Sequence, residues 1–116
     1  MTNSYIALDL ETTGLEARLD KITEIAALRV EDGRVEERFV TLVNPGRQLG
    51  ERITALTGIT DDMVKDAPVI EDTIGDEVRF CGNLPLLGHN ILFDYAFLKR
   101  AAVNSGLDFE REGIDT

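Results

Sequence analysis

Residues 21–45, KITEIAALRVEDGRVEERFVTLVNP, hold two runs rich in Val, Ile and Thr on either side of Glu31-Asp32-Gly33-Arg34. Asp-Gly between such runs is a strong hairpin signal, because both central positions of the turn it favours need φ > 0. The stretch predicts an antiparallel pair, residues 22–31 and 34–43, ended by Pro45 and Gly46. Everything else in the chain has to be built onto that meander. The sheet is therefore mixed rather than purely parallel.

Ahead of the hairpin, residues 5–9, YIALD, are short and apolar and predict a central strand buried on both faces, stopped by Thr12-Thr13-Gly14. Beyond it the texture turns helical. Residues 51–57 and 60–66 predict short surface helices separated by Gly58, with Thr60 as an N-cap ahead of two acids. After Pro68, Val69, Ile70, Ile74, Val78 and Phe80 or Cys81 fall near helical spacing, giving a helix to about residue 81, weakened at Gly75. LPLLGHN, residues 84–90, reads as another buried strand. NILFDYAFLKRAAVNSG reads as a helix with Asn90 as N-cap and Gly106 as stop signal. The tail, LDFEREGIDT, begins one more strand. Strands first as a meander and then alternating with helices predict one α/β domain, a mixed β-sheet flanked by helices. With 116 residues, 43% of them hydrophobic, the chain has material for one core and not for two.

Twelve Lys and Arg against 22 Asp and Glu leave a formal net charge of −10. A protein that grips duplex nucleic acid over a broad surface is basic, so any nucleic-acid contact here is expected to be local. The single cysteine, Cys81, cannot pair within the chain and has no companion at metal-site spacing, which excludes a disulfide framework and a zinc knuckle. The N-terminus shows no basic leader followed by an apolar core, and no apolar run approaches the roughly 20 residues that span a bilayer. A cytoplasmic protein with no membrane association is the expectation.

Within ALDLETTG, residues 7–14, two acids end an apolar run. Asp9 and Glu11 are two residues apart on a strand, so they project to one face with backbones roughly 7 Å apart. Carboxylates with that reach can share divalent ions spaced about 3.5 to 4 Å, the arrangement that stabilises both oxygens of a phosphodiester displacement. A solvated strand end or a helix N-cap would equally account for such a pair. Asp94 adds a third acid, in the first turn of a helix whose Phe93, Phe97, Leu98 and Ala101 turn towards packing partners. If strands 5–9 and 84–89 are neighbours, that helix begins over the carboxyl end of the first strand, where ligands gather in open α/β sheets. A carboxylate that merely favours the positive helix end is the alternative.

Asp9-Leu-Glu11-Thr-Thr-Gly14, then a hairpin, then Thr57-Gly58-Ile59-Thr60, then Gly88-His89-Asn90 with Phe93-Asp94, resembles the DEDD family of 3′→5′ exonucleases. The closest likeness is to its histidine branch, which includes the proofreading epsilon subunit of bacterial DNA polymerase III. It runs from about residue 5 to the last residue. The resemblance implies a ribonuclease H-like fold and a two-metal exonuclease using Mg²⁺ or Mn²⁺, acting on a single-stranded 3′ end of DNA or RNA and releasing nucleoside monophosphates, with polymerase-associated proofreading as one setting. By position, Asp9 and Glu11 match the acids that hold both ions, and Asp94 matches the acid that holds the second. Thr12, Thr13 and Gly14 match the lining around the 3′-terminal nucleotide, and Leu15 an apolar wedge against its base. Thr57 stands where many relatives carry a histidine near that nucleotide. Asn90 and Phe93 match positions that orient the strand and pack beneath the nucleotide. His89 sits where relatives often carry a structural histidine and is not assigned as the general base.

One element of the pattern is missing. The family's third motif, H-x-x-x-x-D, does not occur in these 116 residues, nor does its tyrosine variant, and neither Asp108 nor Asp115 follows a histidine at the required spacing. The chain is therefore read as the N-terminal part of a single exonuclease domain, residues 1–116, C-terminally truncated and carrying only the first two acidic motifs. A sheet lacking the later helices would expose an apolar face, so a homo-oligomer or a covering partner is expected. The missing motif also keeps open a non-catalytic binding module that retains the fold. An aspartate-nucleophile phosphatase, suggested by acid-x-acid-x-Thr after a first strand, fits poorly, because the second acid is Glu11 and no suitably placed lysine motif follows.

Overall fold

The computed structural model describes residues 3–116. Its elements are β1 (Ser4–Thr12), β2 (Ile22–Glu31), β3 (Arg34–Leu42), α1 (Gly50–Thr57), α2 (Asp61–Val64), α3 (Ile70–Cys81), β4 (Leu86–Gly88), α4 (Ile91–Asn104) and β5 (Gly113–Asp115). The strands form one mixed sheet in the order β3-β2-β1-β4-β5, so β1 is central as expected. β1–β2 and β2–β3 pair antiparallel, and β4 joins β1 in parallel through Ile6↔Leu86 and Ala7↔Leu87. At the hairpin turn Asp32 has φ 51° and Gly33 φ 79°, the two positive values that the Asp-Gly signal requires.

β1 runs three residues past its predicted end, carrying Asp9 and Glu11 inside the strand. Its two faces also differ, contrary to the expectation of burial on both. Ile6, Leu8 and Leu10 are buried, whereas Tyr5, Ala7 and Glu11 are half-buried and Asp9 is exposed. The physical reason is that packing covers one side of the sheet: Ile74 and Cys81 of α3, Ile91, Phe97, Leu98 and Ala102 of α4, and Phe109 all join the core that contains Ile6, Leu8 and Leu10. Each large side chain fully buried there contributes about 1.5–3 kcal/mol. Leu49, Ile59 and Val64 form a smaller cluster that holds the region of α1 and α2.

Two expectations about helices are corrected. α3 buries Thr73, Ile74, Glu77 and Cys81, while Val78 is only half-buried, so its inward face includes a carboxylate that apolar spacing does not reveal. Asn90 precedes α4 but makes no side-chain cap bond; it adopts a left-handed conformation, and its backbone N–H donates to Asp115 Oδ1 at 2.7 Å. Thr60 does cap α2, accepting from the Met63 N–H.

Gly88 allows the close seating of β4 on β1. A Cβ there would stand 2.6 Å from the Leu8 carbonyl oxygen, a backbone atom that cannot move aside. β4 then stops, and β1 continues for several residues without a strand partner on that side.

Candidate active site

The Ile6 N–H donates to Pro85 O, so even-numbered amides of β1 face the β4 side. Beyond the end of β4 the next such donors lack a strand to pair with. The first turn of α4 occupies this gap, and the Leu10 amide hydrogen-bonds the carboxylate of Asp94. Asp94 is buried, at 5% exposure, in a helix otherwise anchored by Phe97 and Leu98. Burial foremost, then the charge of Asp9, pushes its pKa up to about 7; the Leu10 hydrogen bond opposes the rise, and Glu11 adds to it. Glu11 is raised as well, by burial, by Asp9 and by Glu24. The acids of the strand and the acid of the helix thus lie in one another's field.

Glu24 is a residue that sequence reasoning missed. It sits directly opposite Glu11 in the β1–β2 register, where like charges destabilise a sheet. The pairing then slips: Glu11 faces Glu24 but Thr12 faces Ile22, leaving Thr23 as the extra residue of a bulge. Bulges commonly re-aim side chains beside active sites. The signal was present in the hairpin, since strict alternation along ITEIAAL puts Glu24 on the face of the exposed acids.

Thr12, Thr13 and Gly14 lead from β1 into a loop knotted around Asp20. Thr12 Oγ1 donates to Gly14 O at 2.7 Å, and Thr13 Oγ1 donates to Asp20 Oδ1 at 3.1 Å while accepting from the Lys21 N–H at 2.9 Å. The Glu16 N–H donates to the other Asp20 oxygen. A Cβ on Gly14 would lie 2.3 Å from that carboxylate, so glycine is what the fit allows. Leu15 projects from this loop at 83% exposure. Phe93 is half-buried, its ring 5.0 Å from that of Phe97. Thr57 stands apart in its bonding: its hydroxyl closes α1 by donating to Ile53 O and accepts from the Ile59 N–H.

The donor set of Asp9, Glu11 and Asp94 is all carboxylate oxygen, which suits hard cations such as Mg²⁺ or Mn²⁺. The upward shifts at Asp94 and Glu11 mark negative charge that a divalent cation would neutralise, so the residues fit such a group. Among the described residues, no group of three or more Asp, Glu, His or Cys side chains is arranged so as to hold a metal ion. The arrangement is an open set of acids around the end of β1.

The exonuclease family profile matches residues 6–111. This chain belongs to the exonuclease family. It is 38% identical over 114 residues to the PolC-type DNA polymerase III of Thermotoga petrophila, a match covering 97% of this chain, and 45% identical over 98 residues to that of Bacillus subtilis, covering 84%. The chain spans only 8% and 7% of the lengths of those two polymerases. Among solved structures, apo exonuclease I superposes with a TM-score of 0.83 at 18% identity, covering 99% of this chain and 29% of the other. Exonuclease X in complex with 5′ overhanging duplex DNA superposes at 0.72 with 32% identity, covering 96% of this chain and 58% of the other. The fold is thus the ribonuclease H-like exonuclease fold, and the family is the DEDD-type one that the ordered motifs resemble. Among the described residues no helix is long and apolar enough to cross a membrane.

Proposed function

We propose that this exonuclease-family chain carries the metal-holding part of a two-metal 3′→5′ exonuclease. It would hydrolyse phosphodiesters from the 3′ end of a single strand of DNA or RNA and release nucleoside monophosphates, in the cytoplasm and in association with a replicative polymerase. The observation that carries this reading is the meeting of Asp9 and Glu11, from the central strand, with the buried Asp94 of α4. Asp9, Glu11 and Asp94 would hold Mg²⁺ or Mn²⁺. When bound, such ions supply an activated water at neutral pH and charge to stabilise the leaving oxygen.

The remaining roles belong to the chain itself. The loop from Thr12 to Gly14 is held by its own hydrogen bonds, so its backbone can position a terminal nucleotide without first being ordered. Exposed Leu15 would press on the terminal base, and Phe93, braced by Phe97, would support the nucleotide from below. Asn90, which has no capping duty, would orient the strand through its amide. Thr57 has its hydroxyl engaged in α1 and would contribute by position rather than by donating. The half-buried apolar strip of Ala7, Ala26, Leu28 and Leu87 on the open sheet face would be covered in a homo-oligomer; a monomer by light scattering at working concentration contradicts that assignment.

The test is degradation of a 5′-labelled single-stranded oligonucleotide with Mn²⁺. The wild-type chain should shorten it from the 3′ end, and Asp9→Ala should not. Equal rates in the two proteins, or shortening from the 5′ end, would contradict the reading. A second reading is a module that binds without cleaving; a wild-type chain that binds Mn²⁺ and the oligonucleotide but leaves it intact selects that one.

A further inference from the structure

Between the loop of residues 13–21 and α4 lies a cleft of about 200 Å³. Its floor is apolar, formed in part by Ile22 and Phe97, and its lining includes three cations, Arg18, Lys21 and Arg100. On a chain of net charge −10 this concentration needs an account: among the described residues, five of the nine other cations pair with carboxylates, and the four that do not, Arg34, Arg38, Arg52 and Arg111, line no part of this cleft. Arg29 pairs with Glu37, Lys65 with Asp62, Arg79 with Asp76 and Lys99 with Glu110. Among the described residues, Arg18, Lys21 and Arg100 form no ion pair. Two acids also line the cleft. Asp20 is occupied, accepting from Thr13 Oγ1 and the Glu16 N–H, with Arg47 3.9 Å away. That leaves exposed Glu71 against the three cations.

The cleft is connected to the acids in two ways. Arg18 and Lys21 belong to the same loop as Thr12–Leu15, and the Asp20 hydrogen bonds fix both halves of that loop together. Arg100 follows Asp94 by six residues on α4, a rise of about 9 Å along the helix. The cleft thus shares its loop with Thr12–Leu15 and its helix with Asp94.

We propose that this cleft binds the sugar-phosphate backbone of the substrate strand upstream of the nucleotide at Asp9. Arg18, Lys21 and Arg100 contact phosphates, and the apolar floor accepts sugar or base. The proposal rests on the nuclease reading above and adds to it the means by which an acidic protein retains a nucleic-acid strand.

Counterion release supplies the test. Each phosphate neutralised on a single strand contributes about 0.7 to the slope of log affinity against log salt. Fluorescence anisotropy with a labelled oligothymidylate, in the absence of divalent ions, should show the slope falling by about 2 in the triple variant Arg18→Ala, Lys21→Ala, Arg100→Ala. Arg34→Ala with Arg38→Ala, on the far edge strand, should leave it unchanged. If the triple variant loses its fold by circular dichroism, Arg100→Ala alone should lower the slope by about 0.7. A slope equal to wild type in a folded variant overturns the proposal. Degradation of the same oligonucleotide with Mn²⁺, measured in parallel, separates the two readings. Asp9-dependent cleavage with an unchanged slope removes the cleft and leaves the nuclease standing, whereas a wild-type chain that neither binds nor cleaves removes both.

Discussion

Glu77 is fully buried on α3, with Oε1 accepting from Cys81 Sγ at 3.4 Å and Oε2 without a hydrogen-bond partner. Burial pushes its pKa up to about 7, and the Cys81 contact offsets only part of that. The folded protein thus holds this proton more tightly than the unfolded chain does, so the contribution of Glu77 to stability is greatest below the unfolded value of 4.5. It declines as pH rises through the window from 4.5 to about 7 and levels off above. The shift corresponds to about 3 kcal/mol at most. Glu77→Gln should therefore raise unfolding free energy above pH 7 by up to that amount and flatten the dependence across the window. Denaturant titrations of both proteins at several pH values check it; a variant that is less stable than wild type at pH 8 contradicts the account.

At the scale of elements, the hairpin was the most legible part of the chain and the site only half so. Asp32-Gly33 announced its own turn because the chemistry is local: two positive φ angles need residues that tolerate them. With nothing near its Cβ position, Gly33 is there for its backbone alone. Gly33→Ala should cost about 1–2 kcal/mol through that strain without disturbing any contact, measurable as a shift in the denaturant midpoint with m unchanged. Burial of one face of β1, by contrast, depends on which side α3 and α4 take, and no residue of YIALD encodes that. Asn90 looked like a cap because Asn before a helix usually is one, but a strand formed 25 residues later brings Asp115 to the same amide. The acids Asp9, Glu11 and Asp94 were readable as motifs. Alternation gives the face of Glu24, but its place opposite Glu11 and the bulge at Thr23 follow from the register between two strands.

For the whole molecule, the sheet order brings three separate stretches of sequence to one place: the end of β1, the β2 register opposite it, and the first turn of α4. A short β4 is what makes the meeting possible, because it leaves β1 amides open to Asp94. The result is a concentration of negative charge on an already acidic chain, held in place by the core beneath it. We propose that such a site is destabilising until a divalent cation occupies it. The most direct measurement is the thermal midpoint of the wild type, Asp9→Ala and Asp94→Asn with and without Mn²⁺, since a ligand that binds only the folded state raises the midpoint in proportion to its affinity. The wild type should gain stability with Mn²⁺ and both variants should gain little or none relative to their own ion-free midpoints. Equal gains in all three proteins would contradict the assignment of these carboxylates as a divalent-ion site.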